Sequence, residues 1–330
     1  MHRTAKLAAA LGLTFYSFAA HAACGSTACS SNTNWDEHTP QQEGLSADFR
    51  FSYSKADTLR SGSKKITVNP TDPAFAPGQE VENKYTTNKI LSATFDYTYN
   101  ENWGSTIQIP FITRDHVHSL ANTNPALVTT DSFHANSIGD IKIGGRYRWT
   151  LDEATHTGMG LKFGLKLNTG KRNFLLASGT LPNEMTLQPG NGSTDLILGI
   201  FWQQAVPGSD WSWFAQGIAQ SAVKSSPNFR PGNQFNLDAG GRYAFTADFS
   251  GMLQVNVQYN NADSGAGAAL TPAGAVSSGG RMVSLTPGLN YALGKDSQLY
   301  ALVQIPVYQY MNGEQLTANY STTFGLRHHF

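Results

Sequence analysis

The sequence predicts an all-β chain folded as a single antiparallel transmembrane β-barrel of about 12 strands, with short turns on one rim and long loops on the other. Three observations predict it. Apolar and polar residues alternate in twelve separate segments, the period-two signature of a strand with one apolar and one polar face. The connections between those segments are short and long in turn. Only 14% of residues are charged, against roughly 25% in a soluble domain, while Gly and aromatics are plentiful.

The strands follow in order. In 48–54, Phe49, Phe51 and Tyr53 oppose Asp48, Arg50 and Ser52. In 91–99, Leu91, Ala93, Phe95, Tyr97 and Tyr99 oppose Ser92, Thr94, Asp96 and Thr98, and Ile107, Ile109 and Phe111 come next. Ile143, Tyr147 and Trp149 then oppose Asp140, Lys142, Arg146 and Arg148, and Leu161, Phe163 and Leu165 oppose Lys162 and Lys166. In the second half, Leu196, Leu198 and Ile200 oppose Asp195, and a less regular aromatic segment runs over 211–223. Phe235, Leu237 and Tyr243 oppose Asp238 and Arg242, and three further alternating segments cover 253–260, 283–291 and 299–307. The closing segment, 317–330, sets Tyr320, Phe324, Leu326, His328 and Phe330 against Ser321, Thr323, Arg327 and His329.

Segments of about nine to fourteen residues suit a tilted crossing of a bilayer, whereas strands of a soluble sandwich average about five or six. Connections at 100–102, 151–156, 206–210, 246–248 and 294–296 are short; those at 56–88, 114–137, 169–192 and 262–279 are long and rich in Pro, Asn, Gly and Ser. An even strand count puts both termini on the short-turn, periplasmic rim and six long loops outside. In lipid an open sheet edge would leave N–H and C=O groups unpaired, so the last strand is expected to pair with the first.

The N-terminus supplies the export signal: Arg3 and Lys6, the apolar run 7–20, then Ala20-His21-Ala22 with small residues at the two cleavage positions. The expected division is therefore 1–22 signal peptide, 23–45 polar periplasmic segment and 46–330 barrel. Cys24 and Cys29 fall in the second part, where an oxidising compartment favours a small disulfide over lipidation or metal use. Past the signal no run approaches the roughly 20 apolar residues of a membrane helix. Zero net charge and a pI near 7.1 carry no nucleic-acid signature.

An alternating segment ending on an aromatic carboxyl terminus resembles the closing strand of bacterial outer-membrane barrels. That resemblance implies an outer-membrane location, and that Tyr320, Phe324, Leu326 and Phe330 form the signal read by the barrel-assembly machinery. The strings IQIPFITRDH (107–116), SIGDIKIGGRYRW (137–149), LKFGLKLNTGKRN (161–173), LQPGNGSTDLILGI (187–200) and VQIPVYQYMNG (303–313) resemble, in their order and spacing, the meta-pathway phenol-degradation family of outer-membrane barrels. The resemblance implies a transporter and leaves its substrate open.

The candidate lumen lining is Asp48, Arg50, Asp96, Asp140, Lys142, Arg146, Arg148, Lys162, Lys166, Asp195, Asp238, Arg242 and Arg327. Such charges either pair across strands to hydrate or plug a narrow barrel, or form the rings that give a pore its ion preference. His116, His118 and His134 sit in the second long connection. His116 and His118, two apart, share a side in an extended segment and could bind a soft divalent metal such as Cu or Zn with Asp115 or Asp131, although solvated loop histidines are the simpler reading. No G-x-S-x-G elbow or other placed catalytic constellation is present, so no enzyme activity and no cofactor are expected. The expected role is a channel for passive uptake or efflux of small molecules, hydrophobic or aromatic compounds among them. The alternatives are a scaffold docking a periplasmic redox partner through the Cys24–Cys29 segment, and a surface metal binder.

Overall fold

The computed structural model describes residues 43–75, 77–180, 185–265 and 277–330. The expected signal peptide, the Cys24–Cys29 segment and most of 23–45 lie outside the described residues.

Strands β1 (Gly44–Gly62), β3 (Glu80–Thr98), β4 (Trp103–Leu120), β6 (Lys142–Asp152), β7 (Thr157–Lys166), β8 (Thr194–Ala205), β9 (Trp211–Lys224), β10 (Gln234–Ala244), β11 (Phe249–Asn260), β12 (Gly280–Leu293) and β13 (Ser297–His329) pair with their neighbours, all antiparallel, into one closed sheet. The short β2 (Lys64–Lys65) pairs only with β1, and β5 (Thr129–Ile138) only with β4. β13 folds back on itself as a hairpin: its first arm pairs with β12 down from Met311, and its second, from Glu314, pairs with β1. The chain reverses at Asn312-Gly313, where Gly313 adopts φ 55°. With those arms counted separately the ring has twelve staves, the even number that an all-antiparallel ring requires.

Closure joins the two ends of the described chain. Ser46 pairs with His329, Phe51 with Phe324 and Tyr53 with Thr322, and the Phe330 amide donates to the Leu45 carbonyl at 2.9 Å. No sheet edge is left in the ring for lipid to meet. Outside, Leu91, Ile200, Leu237, Leu253, Leu289 and Phe324 expose their side chains although they are large and apolar; inside, Asp48, Lys166, Asp195, Asp238, Gln254 and Thr286 are buried although they are polar. This inverted distribution is that of a barrel in a bilayer, with lipid for outer solvent. Aromatics gather at the short-turn rim: Tyr97 packs on Tyr99, Trp103 on Tyr147, Trp211 on Trp213 and Tyr243 on Phe245. This is one interfacial girdle.

The short turns are closed by their own side chains. Asn100 Oδ1 accepts from the amides of Asn102 and Trp103, Asp152 Oδ1 from that of Ala154, and Thr246 Oγ1 from those of Asp248 and Phe249. The opposite rim corrects the expected loops. β1 runs on to Gly62 and β3 starts at Glu80, so much of 56–88 is strand; β4 continues to Leu120 and returns as β5, so 114–137 is mostly strand as well. These extensions stand beyond the apolar band. On the outer face of β4, Ile107, Ile109 and Phe111 give way to Thr113 and Asp115; on β3, Leu91 gives way to Lys89. With water on both sides, alternation in hydrophobicity disappears while the ladder persists. Nor are there six long outer loops, because the last two staves meet at the Asn312-Gly313 turn.

Candidate functional site

The lumen is built around a buried ionic node. Lys166, the last residue of β7, donates through Nζ to Asp140 Oδ2 at 2.8 Å, Asn191 Oδ1 at 2.6 Å, and the carbonyl and hydroxyl oxygens of Ser193 at 3.0 Å each. Asp195 Oδ2 lies 3.5 Å away and accepts from Gln220 Nε2 at 2.6 Å. Asp140, in the break between β5 and β6, also accepts from the amides of Thr169 and Gly170. Apart from β7, β8, Asp140 and Gln220 of β9, every partner in this node belongs to the described parts of the connection 167–193. The node therefore binds that connection to the inner wall, with Gln188, Gly190 and Ser193 buried and Pro189 and Asn191 facing the cavity below. Arg114 adds a second tie, donating to Asn88 Oδ1 at 2.6 Å and to the Thr186 carbonyl at 2.5 Å.

Beneath this inward loop is a cavity of about 300 Å³ bordered by residues from β1, β3, β4 and β6 to β10. Its charged border comprises Arg50, Lys142, Arg146, Lys162 and Lys166 against Asp96 and Asp140, five cations to two carboxylates and a balance of +3. Ser92, Thr94, Gln108, Gln220 and Asn236 supply neutral polar surface.

Most of these border charges, and the other charges of the lumen, have local partners. Arg327 reaches Asp96 at 3.2 Å, Arg146 donates to Thr98 Oγ1 at 2.6 Å, and Lys162 to Gln216 Oε1 at 2.9 Å. Asp238 accepts from Gln216 and Asn256, and Asn256 in turn from Thr286. Arg50 lies 3.9 Å from Asp48, Arg242 caps the Phe214 ring at 5.0 Å, and Arg148 lies over Gly158 near the short-turn rim. Sequence reading missed one feature of this interior: Phe214, Met252, Tyr300 and Leu302 form a buried apolar cluster within the lumen, on the short-turn side of the cavity. The signal was present, since Tyr300 and Leu302 stand at polar-face positions between the outward Leu299, Ala301 and Val303.

The histidines separate. His116 and His118 are buried in β4, not solvated in a loop, and neither Asp115 nor Asp131 joins them. Asp115 faces outward and pairs with exposed His134 at 2.6 Å. Asp131 lies opposite His118 but turns to the Ser132 and Ser178 amides; burial pushes its carboxyl up, and the hydrogen bonds from Ser178 and Ser132 outweigh that and hold it below its ordinary range. The carboxylate beside the two imidazoles is Glu82 of β3. His328 and His329 take separate partners, Ser297 and Ser46.

The family model described as "Putative MetA-pathway of phenol degradation" matches residues 56–324, most of the chain and nearly the whole barrel. The chain belongs to this family. Among solved structures, the phenol-degradation barrel is similar to the COG4313 outer membrane channel from Pseudomonas putida F1, with a TM-score of 0.66 and 12% identity over 91% of this chain and 100% of that one. The NanC porin (TM-score 0.46, 11% identity, 86% of this chain and 100% of that one) and the Ralstonia pickettii toluene transporter TbuX (0.44, 10%, 88% and 90%) are more distant. At such identities the likeness speaks for the fold alone, that of an outer-membrane β-barrel. No curated protein matches the chain.

Proposed function

We propose that this barrel is a passive channel for small molecules across the bacterial outer membrane, with a preference for anionic solutes. The cavity border carries the reading: five cations against two carboxylates, in a wall otherwise made of hydroxyl and amide groups. Rings of basic side chains favour anions, because a desolvating solute regains charge–charge and hydrogen-bond energy from the wall. The polar lining weighs against the hydrophobic or aromatic cargo considered from sequence. The inward connection 167–193 acts as the outer constriction and the Phe214–Met252–Tyr300–Leu302 cluster as the inner one. The chain acts, in this reading, as a channel and not as an enzyme. In this reading residues 1–22 direct export, 46–330 form the pore, and the outward Tyr320, Phe324, Leu326 and Phe330 are read by the assembly machinery.

Single-channel recording across planar bilayers under a salt gradient tests it. Conductance steps whose reversal potential has the anion-selective sign are expected. Cation selectivity, or a barrel that inserts and conducts nothing, overturns the reading.

A further inference from the structure

We infer that Glu82, His116 and His118 form a binding site for a borderline divalent metal ion of the Zn²⁺ or Cu²⁺ class, on the outer side of the membrane band. The site is independent of the channel reading.

The backbone builds it with a bulge. On β3, Val81 pairs with Ser119 and Tyr85 with Val117, so three residues, 82–84, stand against the single residue His118 on β4. Such an insertion re-aims a side chain, and here it turns the Glu82 carboxylate toward the two imidazoles. His116 Nε2 is 3.4 Å from Glu82 Oε1 and 3.0 Å from His118 Nδ1, and all three ligand atoms lie within 4.8 Å of one another. Ligands about 2.0–2.1 Å from a tetrahedral metal stand about 3.4 Å apart. The first edge fits as it stands and the second needs only slight opening.

The groups behind the ligands fit as well. Thr86 Oγ1 lies 2.8 Å from His116 Nδ1, so a proton held there leaves Nε2 with its lone pair toward the cluster. His118 Nε2 is buried without a hydrogen-bond partner and faces Glu80 Oε1 at 3.8 Å. Metal on Nδ1 would put the proton on Nε2, opposite that carboxylate, the outer arrangement usual for metal-bound histidine. Both rings are 1% exposed while Glu82 stays partly open, so an ion can enter from the carboxylate side. Two imidazoles and a carboxylate select borderline cations over Mg²⁺ or Ca²⁺, and three protein ligands leave a position for water.

The test is titration of the purified full barrel, with Cys24 and Cys29 replaced by Ser to remove their thiols, using Zn²⁺ by calorimetry and Co²⁺ by its visible ligand-field bands. One ion per barrel is expected. Glu82→Gln, which keeps shape, and His118→Ala should each weaken binding at least about tenfold, and Thr86→Val about tenfold. His134→Ala should change nothing. Heat-modifiable mobility on gels checks that each variant is folded. Absence of a Co²⁺ spectrum in the parent, or binding that survives His116→Ala combined with His118→Ala, overturns the inference.

Discussion

Tyr300 donates its hydroxyl proton to the Asp48 carboxylate, with Oη 3.1 and 2.8 Å from its two oxygens, reaching over the whole width of an intervening stave. The second arm of β13 lies between them, and the contact is possible because the residue under the ring is Gly325. A Cβ there would overlap Cζ and Oη of Tyr300. Asp48 belongs to the first stave and Tyr300 to the eleventh, so one side chain fastens three staves at the closure.

Loss of that hydroxyl should be costly. A hydrogen bond to a charged group is worth about 1.5–3 kcal/mol, and Tyr300→Phe should lower unfolding stability in vesicles by about that much. Gly325→Ala should do at least as much harm by displacing the ring. Urea unfolding followed by tryptophan fluorescence checks both, and equal midpoints for Tyr300→Phe and the parent would refute the role given to the bond.

Lys166→Met should free the inward connection. The substitution leaves Asp140 and Asp195 buried without their cation, a loss of about 3–5 kcal/mol by analogy with broken buried pairs. Single-channel conductance should rise and become noisier as 167–193 leaves the lumen. Unchanged conductance would mean that this connection does not limit flow.

Arg146→Glu combined with Lys162→Glu changes the cavity balance by four charges, from +3 to −1. The reversal potential under a salt gradient should change sign. A double variant that stays anion-selective would assign selectivity to another part of the lumen.

Phe330→Ala should separate assembly from stability. Its side chain is 71% exposed and its backbone bond to Leu45 survives the change. Refolding in detergent should match the parent, whereas the amount reaching the outer membrane of cells should fall several-fold. Equal amounts in the membrane would remove Phe330 from the assembly signal.

The lipid-facing half of the barrel is legible because lipid enforces the pattern: Leu91, Phe95 and Tyr97, or Leu253, Val255 and Val257, each stand between polar neighbours. Past the apolar band the constraint lapses. Strand 114–120 carries Arg, Asp, His and Ser on faces that both meet water or protein, and reads as loop although it pairs with β5 throughout and with β3 on either side of the bulge. The site was half-legible for the same reason. The two-residue spacing of His116 and His118 put them on one face, but Glu82 comes from a strand that no alternation marked and a bulge that no residue announced. Likewise Asp140 and Lys166 stand out as charges, while their hold on the backbone of 167–193 depends on a fold-back without local signal.

The Ser46–His329 contact joins residues 283 apart in sequence. Closing a loop of that length costs about 5 kcal/mol in chain entropy before any ladder repays it, and such non-local pairing is slow to form. The β1 edge therefore waits, unpaired, until the last residues of the chain arrive, and throughout that wait it is a template for any other strand. A nascent copy is thus most vulnerable to aggregation just before completion, and the kinetic hazard resides in the seam.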